Sequence, residues 1–301
     1  MSRLAGRVAI VTGAGRGLGR AHARYLASQG AAVVVNDRGG DVHGRGDSLS
    51  PAEAVVEAIR ADGGRAVASG HDVSDWEQAA ELVELAVHEF GELHVLVNNA
   101  GILRDRTLAN MSESDWDDVL RVHLKGHAAP TRHAMAYWRG QAKAGHPLAA
   151  SVVHTTSIAA FAGNFGQANY TAAKSAVLGL SRVVALEGAK VGVRSNAVSP
   201  SARTRIMMTR PDDEPDDVAE WDAGDPLNPV NVSPLIGWLA EEKCPANAQV
   251  FHTYGNRVIV VSMPSIVHDL RTEGRWTAEA LDEALPSRLL PLSELSDFLD
   301  V

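Results

Sequence analysis

Tyr170 and Lys174 stand four positions apart in a stretch, residues 167–190, whose spacing and composition read as one long helix. Positions i and i+4 share a helix face, so the Lys174 ammonium is set beside the Tyr170 phenol. A free tyrosine titrates at about 10, too high for a good base at neutral pH. A neighbouring cation stabilises the phenolate and lowers that value. Ser157, thirteen positions before Tyr170, follows the β-branched run Ser151-Val152-Val153-His154. Its hydroxyl can hold a substrate oxygen while the proton leaves through Tyr170. A Tyr-x-x-x-Lys pair alone is mostly coincidental surface chemistry, and its weight here comes from following that strand.

A second constellation lies near the N-terminus. Directly after the apolar run Val8-Ala9-Ile10-Val11 comes Thr12-Gly13-Ala14-Gly15-Arg16-Gly17-Leu18-Gly19, and a helix-like stretch follows. Glycines let a backbone approach a pyrophosphate, and a helix N-terminus offers it unpaired N–H groups and partial positive charge. The spacing misses Gly-x-Gly-x-x-Gly and fits Thr-Gly-x-x-x-Gly-x-Gly through Gly13, Gly17 and Gly19. Asp37, 18 residues past Gly19, ends the second strand, where a carboxylate can accept from adenosine ribose hydroxyls and repel a 2′-phosphate. Capping a turn into Gly39-Gly40 is the plainer role for Asp37. The pairing points to NAD, while Arg16 and Arg38 leave NADP open. His71-Asp72-Val73 and Asn98-Asn99-Ala100-Gly101 follow later strands and would line the same crevice.

These groups need a scaffold that brings strand ends together. The first 100 residues alternate short β-branched runs with helix-like stretches, the pattern of a parallel sheet with crossover helices. Strands are expected at 8–11, 32–35, 66–68, 95–97, 151–154 and 193–198, with helices at 18–29, 51–62, 75–90 and 167–190. Ser50-Pro51 and a Ser74/Glu77 capping box signal two of the helix starts. Nothing between residues 1 and 200 reads as a linker, so this is one doubly wound α/β domain, residues 1–263. Past Pro200 the pattern weakens; a helix near 232–242 and two short strands around Tyr254-Gly255-Asn256 follow. Residues 264–301 read as a docked tail with one amphipathic segment, Thr277 to Leu285.

The 301 residues are 45% hydrophobic and 22% charged, an ordinary globular composition. The net charge of −9 argues against nucleic acid as a partner, and it is concentrated. Eight carboxylates and no Lys or Arg fall between Asp212 and Asp225. Cys244 is the one cysteine, which leaves no intramolecular disulfide or multi-cysteine metal site and fits a reducing compartment. It is expected to be buried. The twelve histidines show no metal-ligand spacing, so no metal is expected. The N-terminus enters a strand too short for a signal-peptide core, and no apolar run approaches the ~20 residues of a membrane helix, so cytoplasm is the expected compartment.

The set Thr12-Gly13-x-x-x-Gly17-x-Gly19, Asn98-Asn99-Ala100-Gly101, Ser157 and Tyr170-x-x-x-Lys174 resembles the short-chain dehydrogenase/reductase family over about residues 5–260. The resemblance implies a Rossmann-like, three-layer α/β/α fold of about seven strands, a tetramer or dimer, and Ser157, Tyr170 and Lys174 as catalytic residues. It also implies adenine contacts from Asp72 and Val73, a nicotinamide-end contact from Thr204, further cofactor contacts from Tyr170, Lys174 and Pro200, and a substrate-covering loop at about 201–230. Residues 33–41, Asn98 to Arg106, Arg121-Val122-His123-Leu124 and Gly163 to Tyr170 resemble more closely the subgroup acting on (3R)-3-hydroxyacyl-CoA thioesters. Two positions depart from the wider family. His123 stands where an Asn usually supports a relay water, as it does in that subgroup, and would either act in catalysis by bonding that water or serve as a buried structural histidine; Pro200-Ser201 replaces the usual Pro-Gly. The resemblance thus implies an NAD-dependent oxidoreductase of an acyl thioester, steroid-derived acyl chains included. An NADPH-dependent 3-oxoacyl carrier-protein reductase, a hydroxysteroid dehydrogenase and a non-catalytic NAD sensor are the alternatives. An acidic covering loop would disfavour an anionic CoA end, which turns attention to Arg104, Arg106 and Arg203 to Arg210 as phosphate ligands.

Overall fold

Strands β1 (Val8–Thr12) and β2 (Ala32–Asn36) are buried along their whole length, as a strand is when both faces of its sheet are covered. The computed structural model describes residues 2–41, 43–204, 224–262, 264, 267–271 and 275–290. The remaining strands are β3 (Arg65–Ser69), β4 (Val95–Asn98), β5 (Ala150–Thr155), β6 (Val193–Ser201), β7 (Val250–Tyr254) and β8 (Arg257–Val261). They form one sheet in the order β3-β2-β1-β4-β5-β6-β7-β8, parallel except for the β7–β8 hairpin. The described sheet therefore has eight strands where the resemblance implies about seven. The extra one is the hairpin edge, closed by Gly255 at φ 56°.

Period-two alternation distributes the strand side chains over two cores. Ala9, Val11, Val33 and Val35 face helices α1 (Gly17–Ser28), α2 (Ser50–Ala61) and α8 (Ser233–Ala240). Val8, Ile10, Ala32 and Val34 face α3 (Trp76–Phe90), α5 (Gly126–Lys143) and α7 (Ala168–Gly188). Cys244 is buried in the first core. A short α6 (Ala159–Ala162) precedes α7, and α9 (Ala278–Ala284) lies in the tail with no buried residue.

Two helix starts differ from the sequence expectation. Asp75, not Ser74, caps α3 by accepting from the Glu77 and Gln78 amides, because Ser74 is engaged by Asp72 and Arg121. Ser50 is the first residue of α2, and the cap position, Leu49, offers no side-chain bond. The capping box that does form is Ser112 with Asp115, opening α4 (Glu113–Leu120). From α4 the chain continues through a π-helical segment, Arg121–Lys125, directly into α5. That segment carries His123.

Candidate active site

At the C-terminal end of β1, Thr12 stitches two motifs together. Its Oγ1 accepts from the Asn99 and Ala100 amides at 2.9 and 3.1 Å. The Asn99 side chain returns a bond to Thr12 O at 2.9 Å. Gly13 has φ 62°, and a Cβ there would lie 2.7 Å from the Ala100 Cα. A Cβ on Gly19 would collide with the Gly13 carbonyl. Glycine is thus required by the close packing of loop, helix and neighbouring strand end. Helix α1 begins at Gly17 with no side-chain cap and no acidic residue in its first turn. Its free amides face one crevice, a fit for an anionic pyrophosphate.

Of the residues expected to hold a dinucleotide, all but Tyr170, Lys174 and Pro200 line that crevice together. Gly13, Arg16, Gly17, Leu18 and Gly19 come from the first loop, and Asp37, Asp72 and Val73 from the ends of β2 and β3. Asn99, Ala100 and Gly101 come from β4, and Thr204 from beyond β6. Pro200 instead lies inside β6, paired with Thr253, so the strand continues where the usual glycine would turn. Asp37 does both things the sequence leaves open. Its oxygens accept from the Gly15 and Gly39 amides at 2.8 and 2.6 Å, forming the turn, and it also faces the crevice. Arg38 reaches Asp72 at 2.8 Å and Arg121 reaches it at 3.4 Å. Burial alone would raise the Asp72 carboxyl. Two hydrogen bonds from Ser74 and the two guanidiniums outweigh it and hold the group below its ordinary value. Arg121, Val122 and the glycine-rich segment around Gly40 and Gly44 also line the crevice and were not expected there. Only the clustering of Gly39, Gly40, Gly44 and Gly46 signals the latter in the sequence.

Ser157 and Tyr170 meet past the end of β5. The Ser157 hydroxyl is near enough to the Tyr170 phenol to act on its titration, and the Lys174 Nζ lies 5.8 Å from the Tyr170 ring centroid, one helix turn on. Lys174 is 2% exposed and donates to Thr155 O at 2.6 Å. Asn169 fixes the start of α7: its Nδ2 donates to Arg104 O and Asp115 O at 3.1 and 2.8 Å, and its Oδ1 accepts from the Tyr170 amide. Burial pushes the Tyr170 phenol above its ordinary value; the Ser157 bond opposes this and the Asp105 charge adds to it. Burial lowers Lys174 to about 7. The expected lowering of the phenol by its cation is therefore not a property of the free protein, because desolvation disfavours both charged forms.

His123 is fully buried, with its ring 5.1 Å from that of Tyr170, edge to face. Its Nε2 lies 2.8 Å from Ile102 O and 3.1 Å from Ile102 N, so either tautomer finds a partner there. A Cβ on Gly101 would strike this ring. Burial first, then the Lys174 charge, holds the imidazole well below its ordinary pKa, and it is neutral.

Among the described residues, each arginine weighed as a phosphate ligand is engaged with another group. Arg104 pairs with Asp118 at 3.3 Å, Arg203 with Asp225 at 3.3 Å, and the Arg106 side chain bonds Asp105 O. Arg205, Arg210 and the carboxylates from Asp212 to Asp222 lie outside the described residues. Among the described residues there is no group of metal-ligating side chains, and no helix is long and apolar enough to cross a membrane.

A crevice at the switch point of a parallel sheet, with Tyr170 packed beside Ile102 of its lining and Lys174 one turn on, is the architecture of a nicotinamide-dependent oxidoreductase. Residues 7–215 match the family described as short chain dehydrogenase. The chain belongs to that family and is an oxidoreductase acting on CH–OH groups. It is 44% identical over 249 residues to the peroxisomal multifunctional enzyme type 2 of Mus musculus, covering 83% of this chain and 32% of that one. The chain thus spans about a third of that enzyme's length. It is 41% identical over 290 residues to hydroxyacyl-CoA dehydrogenase ChsB1 of Mycobacterium tuberculosis, covering 94% and 88%. A crystal structure of a short chain dehydrogenase from Mycobacterium avium superposes with a TM-score of 0.85 at 42% identity, covering 97% and 98%.

Proposed function

We propose that the protein is an NAD-dependent dehydrogenase of (3R)-3-hydroxyacyl-CoA thioesters, steroid-derived acyl chains included. The observation that carries the reading is Tyr170, with Lys174 one turn away and Ser157 acting on its phenol, packed in one cluster with Ile102 of the crevice lining. In this reading Ser157 holds the substrate oxygen and Tyr170 takes its proton. Lys174 supplies the charge that favours the phenolate, and His123 packs the tyrosine ring in place. When bound, the nicotinamide accepts the hydride and brings a positive charge of its own. Gly13, Arg16, Gly17, Leu18 and Gly19 would hold the pyrophosphate, Asp72 and Val73 the adenine, and Asn99, Ala100, Gly101 and Thr204 the nicotinamide end.

Asp37 in the crevice favours NAD, since a 2′-phosphate beside a carboxylate is repelled, and Arg38 is already paired with Asp72. The names of the mouse and mycobacterial relatives support the acyl-CoA class. Residues 1–263 would be the catalytic domain and 264–301 an appended tail, in the cytoplasm. A homotetramer or homodimer is supported by apolar side chains left exposed on α7 (Val183, Leu186) and on the edge strand β8 (Val258, Val260). NADH and NADPH formation should be measured with a panel of 3-hydroxyacyl-CoA thioesters, hydroxysteroids and simple alcohols. The acyl-CoA substrates with NAD should lead in kcat/KM. A lead for NADP with carrier-protein substrates, or activity retained in Tyr170→Phe, would overturn the reading.

A further inference from the structure

Lys174 donates to the carbonyl of Thr155, and His154, the residue before it, belongs to a polar cluster that the Ser–Tyr–Lys chemistry does not use. His127 follows His123 by one helix turn on α5, and His154 lies on β5 beside Asn98 of β4. The His127 and His154 rings stack at 5.5 Å, with their Nδ1 atoms 3.4 Å apart. Asn98 Nδ2 donates to Thr131 Oγ1 at 2.9 Å and lies 3.3 Å from His154 Nδ1. Thr131 Oγ1 in turn donates to His127 O. Asn98, His127 and His154 have no exposed surface, yet Asn98 Oδ1, His127 Nε2 and His154 Nε2 have no hydrogen-bond partner among the described residues.

Those bonds assign the tautomers. An amide N–H can only donate, so His154 Nδ1 is the bare acceptor and its proton sits on Nε2. The contact between the two Nδ1 atoms then places the His127 proton on Nδ1 and leaves His127 Nε2 bare. Two acceptors, His127 Nε2 and Asn98 Oδ1, and one donor, His154 Nε2–H, therefore stand unpaired in one interior region. Apolar side chains would avoid the cost of leaving them so, whereas enclosed water satisfies them. Lys174, for its part, has three N–H donors, and among the described residues its Nζ finds one acceptor, Thr155 O, next in sequence to His154. A water that accepts from an ammonium has two protons to give, and bare acceptors are what it needs.

We propose that Asn98, His127 and His154 hold buried water against the inner side of Lys174 and act as positioning residues that keep its ammonium charged beside Tyr170. The proposal rests on the reading of Lys174 given under Proposed function. The ionisable groups facing this region are Lys174 and Tyr170 from α7, His123 from the π segment, His127 from α5 and His154 from β5. Burial keeps the histidines neutral, His154 being lowered to about 3, and the Lys174 charge acts in the same direction on all three. The solvating partner is thus a neutral dipole that does not compete with the ammonium for charge.

The test is the titration of Lys174, followed through its 13Cε resonance in lysine-labelled protein. The chain has five lysines, and Lys174→Arg assigns the signal. In His127→Leu and His154→Leu the midpoint should fall by about one pH unit, and in the polar variant His154→Gln it should stay near that of the parent protein. The acid limb of kcat/KM for alcohol oxidation should move to higher pH in the leucine variants, with the KM for NAD unchanged. Imidazoles that only fill space would give leucine variants of equal or greater stability, since unpaired polar groups are removed. Their Lys174 midpoint would lie within about 0.3 pH unit of the parent's, and that result overturns the proposal. Should the leucine variants not fold, a high-resolution crystal structure of the parent protein decides. Ordered water within hydrogen-bond reach of Lys174 Nζ and of His127, His154 or Asn98 supports the proposal, and a dry cluster overturns it. A parent protein inactive on every alcohol would refute the functional reading and leave the NMR and crystallographic outcomes to decide this one.

Discussion

Near neutral pH the free protein holds Tyr170 as a phenol and Lys174 divided between its two forms, because Lys174 is buried and Tyr170 half-buried before any cofactor arrives. Chemistry then depends on what the bound state adds, and single atoms can be removed to test it. Tyr170→Phe deletes the proton acceptor while keeping the ring that packs on His123. It should cost roughly 10²–10⁴ in kcat with NADH binding preserved, read by steady-state kinetics and by fluorescence titration. Asp37→Ala removes the carboxylate from the crevice, and the NAD/NADP ratio of kcat/KM should fall. Part of that loss will be structural, because the Gly15 and Gly39 amides lose their acceptor. A second variant, Asp37→Asn, separates the two effects by keeping an acceptor without the charge. These site residues were legible in the sequence because each belongs to a spaced motif. His127 and His154 were not, since a lone histidine in an apolar run carries no sign of what the next strand or helix brings against it.

Elements hold the site through a few joints that substitution can break. Asn169 ties the start of α7 to the carbonyls of Arg104 and Asp115. Asn169→Ala would leave those carbonyls unpaired in a buried place and should lower stability by about 1–3 kcal/mol in urea unfolding, with kcat reduced as Tyr170 loses its anchor. In the glycine loop, Gly19→Ala sets a methyl group against the Gly13 carbonyl, and NADH affinity should fall at least tenfold, measured by titration. Strands and most helices followed from periodicity, since a fully buried parallel strand is a short β-branched run whatever surrounds it. The α3 cap went to Asp75 because Ser74 is drawn to Asp72 and Arg121, a competition between residues 47 positions apart. The π segment was invisible for a related reason. It places His123 against Ile102, and that register depends on the loop after β4, not on the residues of the helix.

For the whole molecule, the burial of Lys174 links stability to pH. Its folded pKa, about 7, lies below the ordinary lysine value of 10.5, so between those values the unfolded chain binds the extra proton. Stability from this group should therefore rise as pH increases from about 7 towards 10.5, and the cost is fully present below 7. Lys174→Met should flatten that rise in the melting temperature of the cofactor-free protein. By itself the sequence determined the alternation of strands and helices, the single doubly wound domain and the order of the glycine loop, Asn98-Asn99-Ala100-Gly101, Ser157 and the Tyr170/Lys174 pair. Those follow from periodicity and local spacing, which neighbouring residues impose on one another. Only the tertiary structure decided that Asp37 both forms a turn and faces the crevice, that Arg38 and Arg121 converge on Asp72, and that three histidines from three elements come within reach of the Lys174 charge. Those outcomes depend on which distant segments share a desolvated space, and burial then sets the charge of every group within it.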